Sequence, residues 1–187
     1  MRIVGGAARG LALATPADGQ IRPTSDRVRE ALFNILIHGV EGFSITGIRV
    51  LDLYAGTGAL GLEALSRGAG FAVFQDTDPV ARGLVRTNIE RAGLGGKARI
   101  SRRDAATMGP IGRGDLFNLA LIDPPYHRDL ATATVASLVA GGWLARGAIV
   151  VVEEARGAPF AWPEGLTETT ERAYGDTIIR IARLGEL

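Results

Sequence analysis

From Val50 to Val152 short apolar runs alternate with stretches of helical spacing, an order that few architectures can satisfy. The runs occupy 50–53, 71–74, 98–100, 116–122 and 148–152, and helical segments are expected at 60–67, 79–92 and about 130–140. Strands that are apolar on both sides must be covered on both faces, so the pattern predicts a doubly wound, mainly parallel α/β sheet. The end of the chain breaks the rhythm. Residues 166–173 and 177–182 flank Tyr174-Gly175-Asp176 with no helix between them, which predicts an antiparallel hairpin closing the sheet. A sheet of this kind binds ligands beyond the carboxyl ends of its strands, and its chemistry is to be sought there.

Directly after the first run comes Asp52-Leu53-Tyr54-Ala55-Gly56-Thr57-Gly58-Ala59-Leu60-Gly61. Glycines at this spacing let a backbone approach a ligand at a helix N-terminus, although a tight strand-to-helix turn would use them too. Asp76 follows the second run, 24 residues after Asp52, where a carboxylate can accept both hydroxyls of a ribose. Asp78 competes for that role, but it also suits the N-cap before Pro79.

Asp123-Pro124-Pro125-Tyr126 follows the run 116–122 and carries the most chemistry. Two consecutive prolines stiffen the loop and remove two N–H donors. The Asp123 carboxylate and the Pro124 carbonyl are then both able to accept from one ligand NH₂ group, beside the flat face of Tyr126. An exocyclic base amine needs such acceptors, because its lone pair is delocalised into the ring until hydrogen bonds help to localise it. The simpler reading is a proline-rich turn with a core tyrosine.

The segment before Val50 has another texture. Ile3 to Leu13 is short and glycine-broken, predicting a small hairpin or extended arm. After Thr24 or Ser25 as N-cap, Val28, Ala31, Leu32, Ile35 and Leu36 recur at amphipathic helical spacing. The expected division is 1–46, arm and helix packed on the main domain, and 47–187, the catalytic domain. Residues 2–30 carry Arg2, Arg9, Arg22, Arg27 and Arg29 against Asp18, Asp26 and Glu30, in a chain of net charge only +1. Arg9, Arg22, Arg27 and Arg29 are therefore candidates for phosphate contacts, with salt bridges to Asp26 and Glu30 as the alternative. Lys97 is the only lysine, so nearly all the positive charge is guanidinium.

Composition narrows the classes. The chain has 187 residues, 47% of them hydrophobic, enough for one sizeable core. With no cysteine and only His38 and His127, neither a disulfide framework nor a zinc centre is expected. No signal peptide or membrane span is apparent, and a cytoplasmic monomer is expected. Trp143 and Trp162 are expected to pack, and Glu153-Glu154 is balanced between a structural and a catalytic role.

Taken together, these residues resemble a class I S-adenosylmethionine-dependent methyltransferase of the amino-methylating group. The stretch Arg22-Pro23-Thr24-Ser25-Asp26-Arg27-Val28-Arg29-Glu30-Ala31-Leu32-Phe33-Asn34 is similar to the signature of the RsmD family, which methylates guanine N2 in bacterial small-subunit ribosomal RNA. Arg2-Ile3-Val4-Gly5-Gly6 with Arg9-Gly10, the turn 51–61 and Asp123 to Tyr126 share the likeness. The resemblance implies a Rossmann-like fold and S-adenosylmethionine as cofactor, without a metal. It implies Asp52, Gly56 and Gly58, with Tyr54 in the same turn, around the methionine part. It further implies Asp76 on the ribose, Asp104 with Ala105 at the adenine edge, and Asp123, Pro124, Pro125 and Tyr126 on the guanine. The family pattern has glutamate where this chain has Asp76. The expected partner is small-subunit ribosomal RNA, either naked or in a protein-bound subunit intermediate. Adenine-N6 methylation of DNA or RNA and a non-catalytic RNA-binding assembly factor are the alternatives. A dehydrogenase has no use for the Asp123 loop.

Overall fold

The computed structural model describes residues 1–16, 25–112, 114, 116–125 and 130–185. Helix α1 (Asp26–Gly39) precedes β1 (Arg49–Leu53), α2 (Ala59–Ser66), β2 (Phe71–Gln75), α3 (Pro79–Ala92), β3 (Ala98–Ser101) and β4 (Phe117–Ile122). Helix α4 (Leu130–Ala140), β5 (Leu144–Ala155), β6 (Leu166–Tyr174) and β7 (Thr177–Leu184) complete it. The seven strands form one sheet in the order β3-β2-β1-β4-β5-β7-β6. It is parallel from β3 to β5, and β7 and β6 run antiparallel as the expected hairpin.

Alternation along each strand sorts the core. Val50, Leu119, Leu121, Ile149 and Val151 face one side with Leu32, Phe33 and Leu36 of α1, Leu62 and Leu65 of α2, and Val85 of α3. Leu51, Leu53, Ala120, Ile122, Val150 and Val152 face the other, where Ala131, Val135 and Leu138 of α4 cover them. Helix signals act where the sequence puts them. Ser25 caps α1 by accepting from the Val28 N–H, Asp78 caps α3 ahead of Pro79, and Gly93 ends α3 in the left-handed region at φ 68°. No helix among the described residues is long and apolar enough to cross a membrane.

Strand β5 is longer than its apolar run. Arg146 and Gly147 interrupt the hydrophobic pattern, yet the strand continues through a bulge, with Gly147 at φ 73° and a register shift against β4 between Phe117 and Leu119. At its far end Glu153 and Glu154 remain in the strand because β7 pairs with them, opposite Ile179 and Ile178.

The arm closes on itself through an antiparallel bridge between Arg2 and Ala12. Side chains of the main sheet's helices then satisfy its backbone. Glu63 accepts from Val4 N at 2.8 Å, the Ser66 hydroxyl accepts from Ala8 N at 2.9 Å, and Asn88 accepts from Ala14 N at 2.7 Å. Asn88 also donates to the carbonyls of Ala14 and Thr57, which ties the arm to the glycine turn. Ile3 and Leu13 join the same core as α1 and α2, so the arm and α1 share one interior with the sheet.

Candidate active site

The carboxyl ends of β1, β2 and β4 open on a cavity of about 830 Å³, within the size range of small-molecule sites. Its floor is Asp52, which is 1% exposed and accepts the Gly61 N–H at 2.9 Å. Burial pushes the Asp52 carboxyl up to about 8, the Asp76 carboxylate adds to the rise, and the Gly61 hydrogen bond opposes it. With its pKa raised this far the carboxyl is largely protonated at neutral pH, and a cationic group bound beside it would favour its ionisation.

The glycine turn leaves β1 through Tyr54, whose φ of 58° is the one positive value for a non-glycine residue among those described. Its hydroxyl lies 2.7 Å from Thr134 Oγ1 on α4, a hydrogen bond that helps to hold this strained backbone. Gly56 donates its N–H to Asp76 Oδ2 at 2.9 Å, and Asp78 N donates to Asp76 Oδ1 at 2.9 Å. Asp76 therefore braces the turn while still lining the cavity, with lone pairs left on both oxygens. Asp78, its competitor, accepts from Val80 N at 2.8 Å as the helix cap. Gly58 starts α2 in the left-handed region at φ 79°. A Cβ there would sit 3.3 Å from Phe74 Cε1, so the turn is both bent and tightly packed.

Asp104 caps a short 3-10 turn through Ala106 N at 2.9 Å, and Ala105 is buried beside it on the cavity wall. Asp123 follows β4 on the opposite side of the mouth, with its N–H still 3.4 Å from the Leu53 carbonyl. Pro124 is buried and Pro125 exposed, and all three residues line the cavity. Tyr126, His127 and Arg22 lie outside the described residues. The cavity thus brings together Asp52, Tyr54, Gly56, Asp76, Asp104, Ala105 and the first three residues of the proline loop.

Arg29 is corrected from a candidate phosphate contact to the salt-bridge alternative, with Asp26. Its side chain is fully buried instead of facing RNA: it pairs with Asp26 at 2.8 Å and Glu63 at 3.5 Å and donates to the Arg2 carbonyl. Glu63 is itself 0% exposed and takes a second partner in Arg67 at 2.7 Å. This buried charge network joins α1, α2 and the arm. Arg9 and Arg27 are exposed.

Several lining residues lack a motif. Gln75 ends β2 with its side chain directed to the Met108 sulfur, while Ser25 and Val28 bring the start of α1 to the mouth. Glu153, Tyr174 and Thr177 line it from β5, β6 and β7. The signal for Glu153 was its place at the carboxyl end of the strand beside Asp123. Trp143 and Trp162 pack, their indole N–H groups donating to the Gly109 carbonyl and to Glu168.

Comparison with known proteins places this architecture. Ribosomal RNA small subunit methyltransferase D of Escherichia coli K12 is 39% identical over 153 residues, 82% of this chain and 74% of that protein. The protein of the same name in Haemophilus influenzae is 31% identical over 186 residues, covering 97% and 92%. The solved structure of yhhF from Escherichia coli superposes with a TM-score of 0.82 at 33% identity, covering 100% of this chain and 99% of that one. The sequence pattern of the family described as conserved hypothetical protein 95 matches residues 1–183, and the chain belongs to that family, the RsmD-type methyltransferases of class I fold.

Proposed function

We propose that the protein uses S-adenosylmethionine to methylate the N2 amine of a guanine in small-subunit ribosomal RNA, acting in the cytoplasm. The observation that carries this reading is the meeting, in one cavity, of the glycine turn braced by Asp76 with the Asp123-Pro124-Pro125 loop. The residues suit the cofactor: a cationic group bound beside the buried Asp52 would favour ionisation of its carboxyl, and the glycine turn lines the cavity through Gly56. When bound, S-adenosylmethionine supplies an electrophilic methyl carbon on a sulfonium.

The chain's own work is positioning. Asp76 accepts ribose hydroxyls, and Ala105 with Asp104 meets the adenine edge. Asp123 and the Pro124 carbonyl accept the two N2 hydrogens of the base, directing the amine lone pair inward, and Asp123 is the nearest acceptor for the proton the amine must lose. Tyr126 is assigned the stacking face. Arg9, Arg22 and Arg27 are assigned phosphate contacts, so RNA binding should weaken with salt.

The test is incubation with labelled S-adenosylmethionine and either naked small-subunit RNA or small subunits from cells lacking the family's enzyme, followed by nucleoside analysis. N2-methylguanosine is expected, lost in Asp123→Ala while cofactor affinity persists. N6-methyladenosine, or no transfer to either substrate, would overturn the reading.

A further inference from the structure

The part of the cavity nearest Asp123 contains a second carboxylate without an assigned task. Strands β4 and β5 are parallel neighbours in the register Leu121↔Val151 and Ile122↔Val152. Continuing it by one residue sets Glu153 beside Asp123 on the neighbouring strand, the two backbones about 4.8 Å apart. Leu119 and Leu121 on β4 and Ile149 and Val151 on β5 face the α1 side, and alternation puts Asp123 and Glu153 next in those two rows. Both line the cavity, and Glu153 is only 6% exposed. Glu154 belongs to the other row, 3.6 Å from Arg180, so the two adjacent glutamates do different things.

We infer that Glu153 is a specificity-determining residue that accepts the N1–H of the target guanine while Asp123 and the Pro124 carbonyl hold its N2 amine. This rests on the guanine reading proposed above. A guanine offers adjacent donors, N1–H and the N2 amine, along one edge. An acceptor one strand removed from the amine's acceptors matches that edge, and an ionised carboxylate is acceptor-only. An adenine presenting N6 to Asp123 would turn the N1 lone pair toward Glu153, setting acceptor against acceptor in a buried place. The second carboxylate thus tells the two amines apart, which the Asp123 loop alone does not do. Thr177, opposite Ala155 on β7, and Tyr174, its partner on β6, line the same cavity beyond Glu153.

The experiment compares wild type, Glu153→Gln and Glu153→Ala on unmethylated small subunits, reading kcat/KM, the nucleoside formed and cofactor affinity by calorimetry. The Glu153→Ala variant should lose about 10- to 100-fold in kcat/KM for N2-methylguanosine formation, as expected for loss of one charged hydrogen bond. The Glu153→Gln variant, whose amide oxygen still accepts, should fall between Ala and wild type, and cofactor affinity should stay within about twofold in both. If the alanine variant melts early, the isosteric glutamine variant decides: a loss of about threefold or more at unchanged cofactor affinity supports the assignment. Wild-type turnover in both variants, or cofactor affinity falling in step with turnover, overturns it while leaving the guanine reading standing. Absence of N2-methylguanosine from the wild-type reaction overturns both.

Discussion

The same substitution, glycine to alanine inside a helix, should have opposite effects at two positions in this protein. In Gly61→Ala the new Cβ would lie 2.4 Å from Phe74 Cε1, 2.9 Å from Phe74 Cζ and 2.9 Å from Asp52 Oδ2. Phe74 is 0% exposed within the shared core, so it has nowhere to go. Overpacking of this kind costs roughly 1–3 kcal/mol. Displacing Asp52 from the Gly61 N–H forfeits roughly another 1 kcal/mol, which about cancels the gain of roughly 1 kcal/mol in helix propensity. The net loss of roughly 1–3 kcal/mol corresponds to a fall in Tm of about 2–12 °C for a chain of this size. In Gly83→Ala, within α3, no heavy atom lies within 4 Å of the added Cβ. Only the propensity gain remains, and Tm should rise by about 2–4 °C. Calorimetric melts of the two variants beside wild type test the pair, and cofactor affinity should drop only in Gly61→Ala. A Gly61→Ala protein melting at or above wild type would refute the packing argument.

Asp52 should leave a signature in pH. With its folded value raised to about 8 from 3.8, the folded state holds more protons than the unfolded one across that interval. Stability therefore falls as pH rises toward 8 and levels off above it. The Asp52→Asn variant removes this slope, so its Tm advantage over wild type should grow between about pH 4 and about pH 9; parallel curves would contradict the burial argument. Removing the buried guanidinium in Arg29→Ala should destabilise by about 3–5 kcal/mol, because Glu63 is left buried with less compensation. The exposed Arg27→Gln should leave the melt unchanged yet lower RNA methylation and its salt dependence, a contrast read by pairing melts with the subunit assay. Asp76→Ala should weaken cofactor binding by about tenfold or more in calorimetry, since the turn loses its brace as well as the ribose acceptor.

Much of the frame was legible because local signals and the global fold agree. Helix α3 begins at the Asp78-Pro79 cap and stops at Gly93, and β2 runs from Phe71 into the acid the glycine turn uses. The failures have physical causes. Arg29 sits on the buried stripe Arg29, Leu32, Phe33, Leu36 at i, i+3, i+4 and i+7. Asp26 was legible as a partner, but a charged side chain in such a stripe reads as surface until its buried countercharge is known, and Glu63 comes from another helix 34 residues later. The extent of β5 was hidden likewise: Glu153-Glu154 resembles a solvated strand end until β7 is laid alongside it. Residues spread over β5, β6 and β7 converge on the cavity only through strand register, which no local pattern expresses.

The arm also has a consequence for the order in which the chain can mature on the ribosome. The arm emerges before the helices it binds, so Val4 waits for Glu63, Ala8 for Ser66 and Ala14 for Asn88, partners 58 to 74 residues downstream. Until α2 has been synthesised the Val4 and Ala8 N–H groups have only water to bond, Ala14 waits longer for α3, and until then the glycine turn lacks the Asn88 amide that clasps the Thr57 carbonyl. The arm, made before the sheet, is thus among the last parts to be fixed, and a nascent chain arrested before Asn88 should present it to proteases although the first strand is already made.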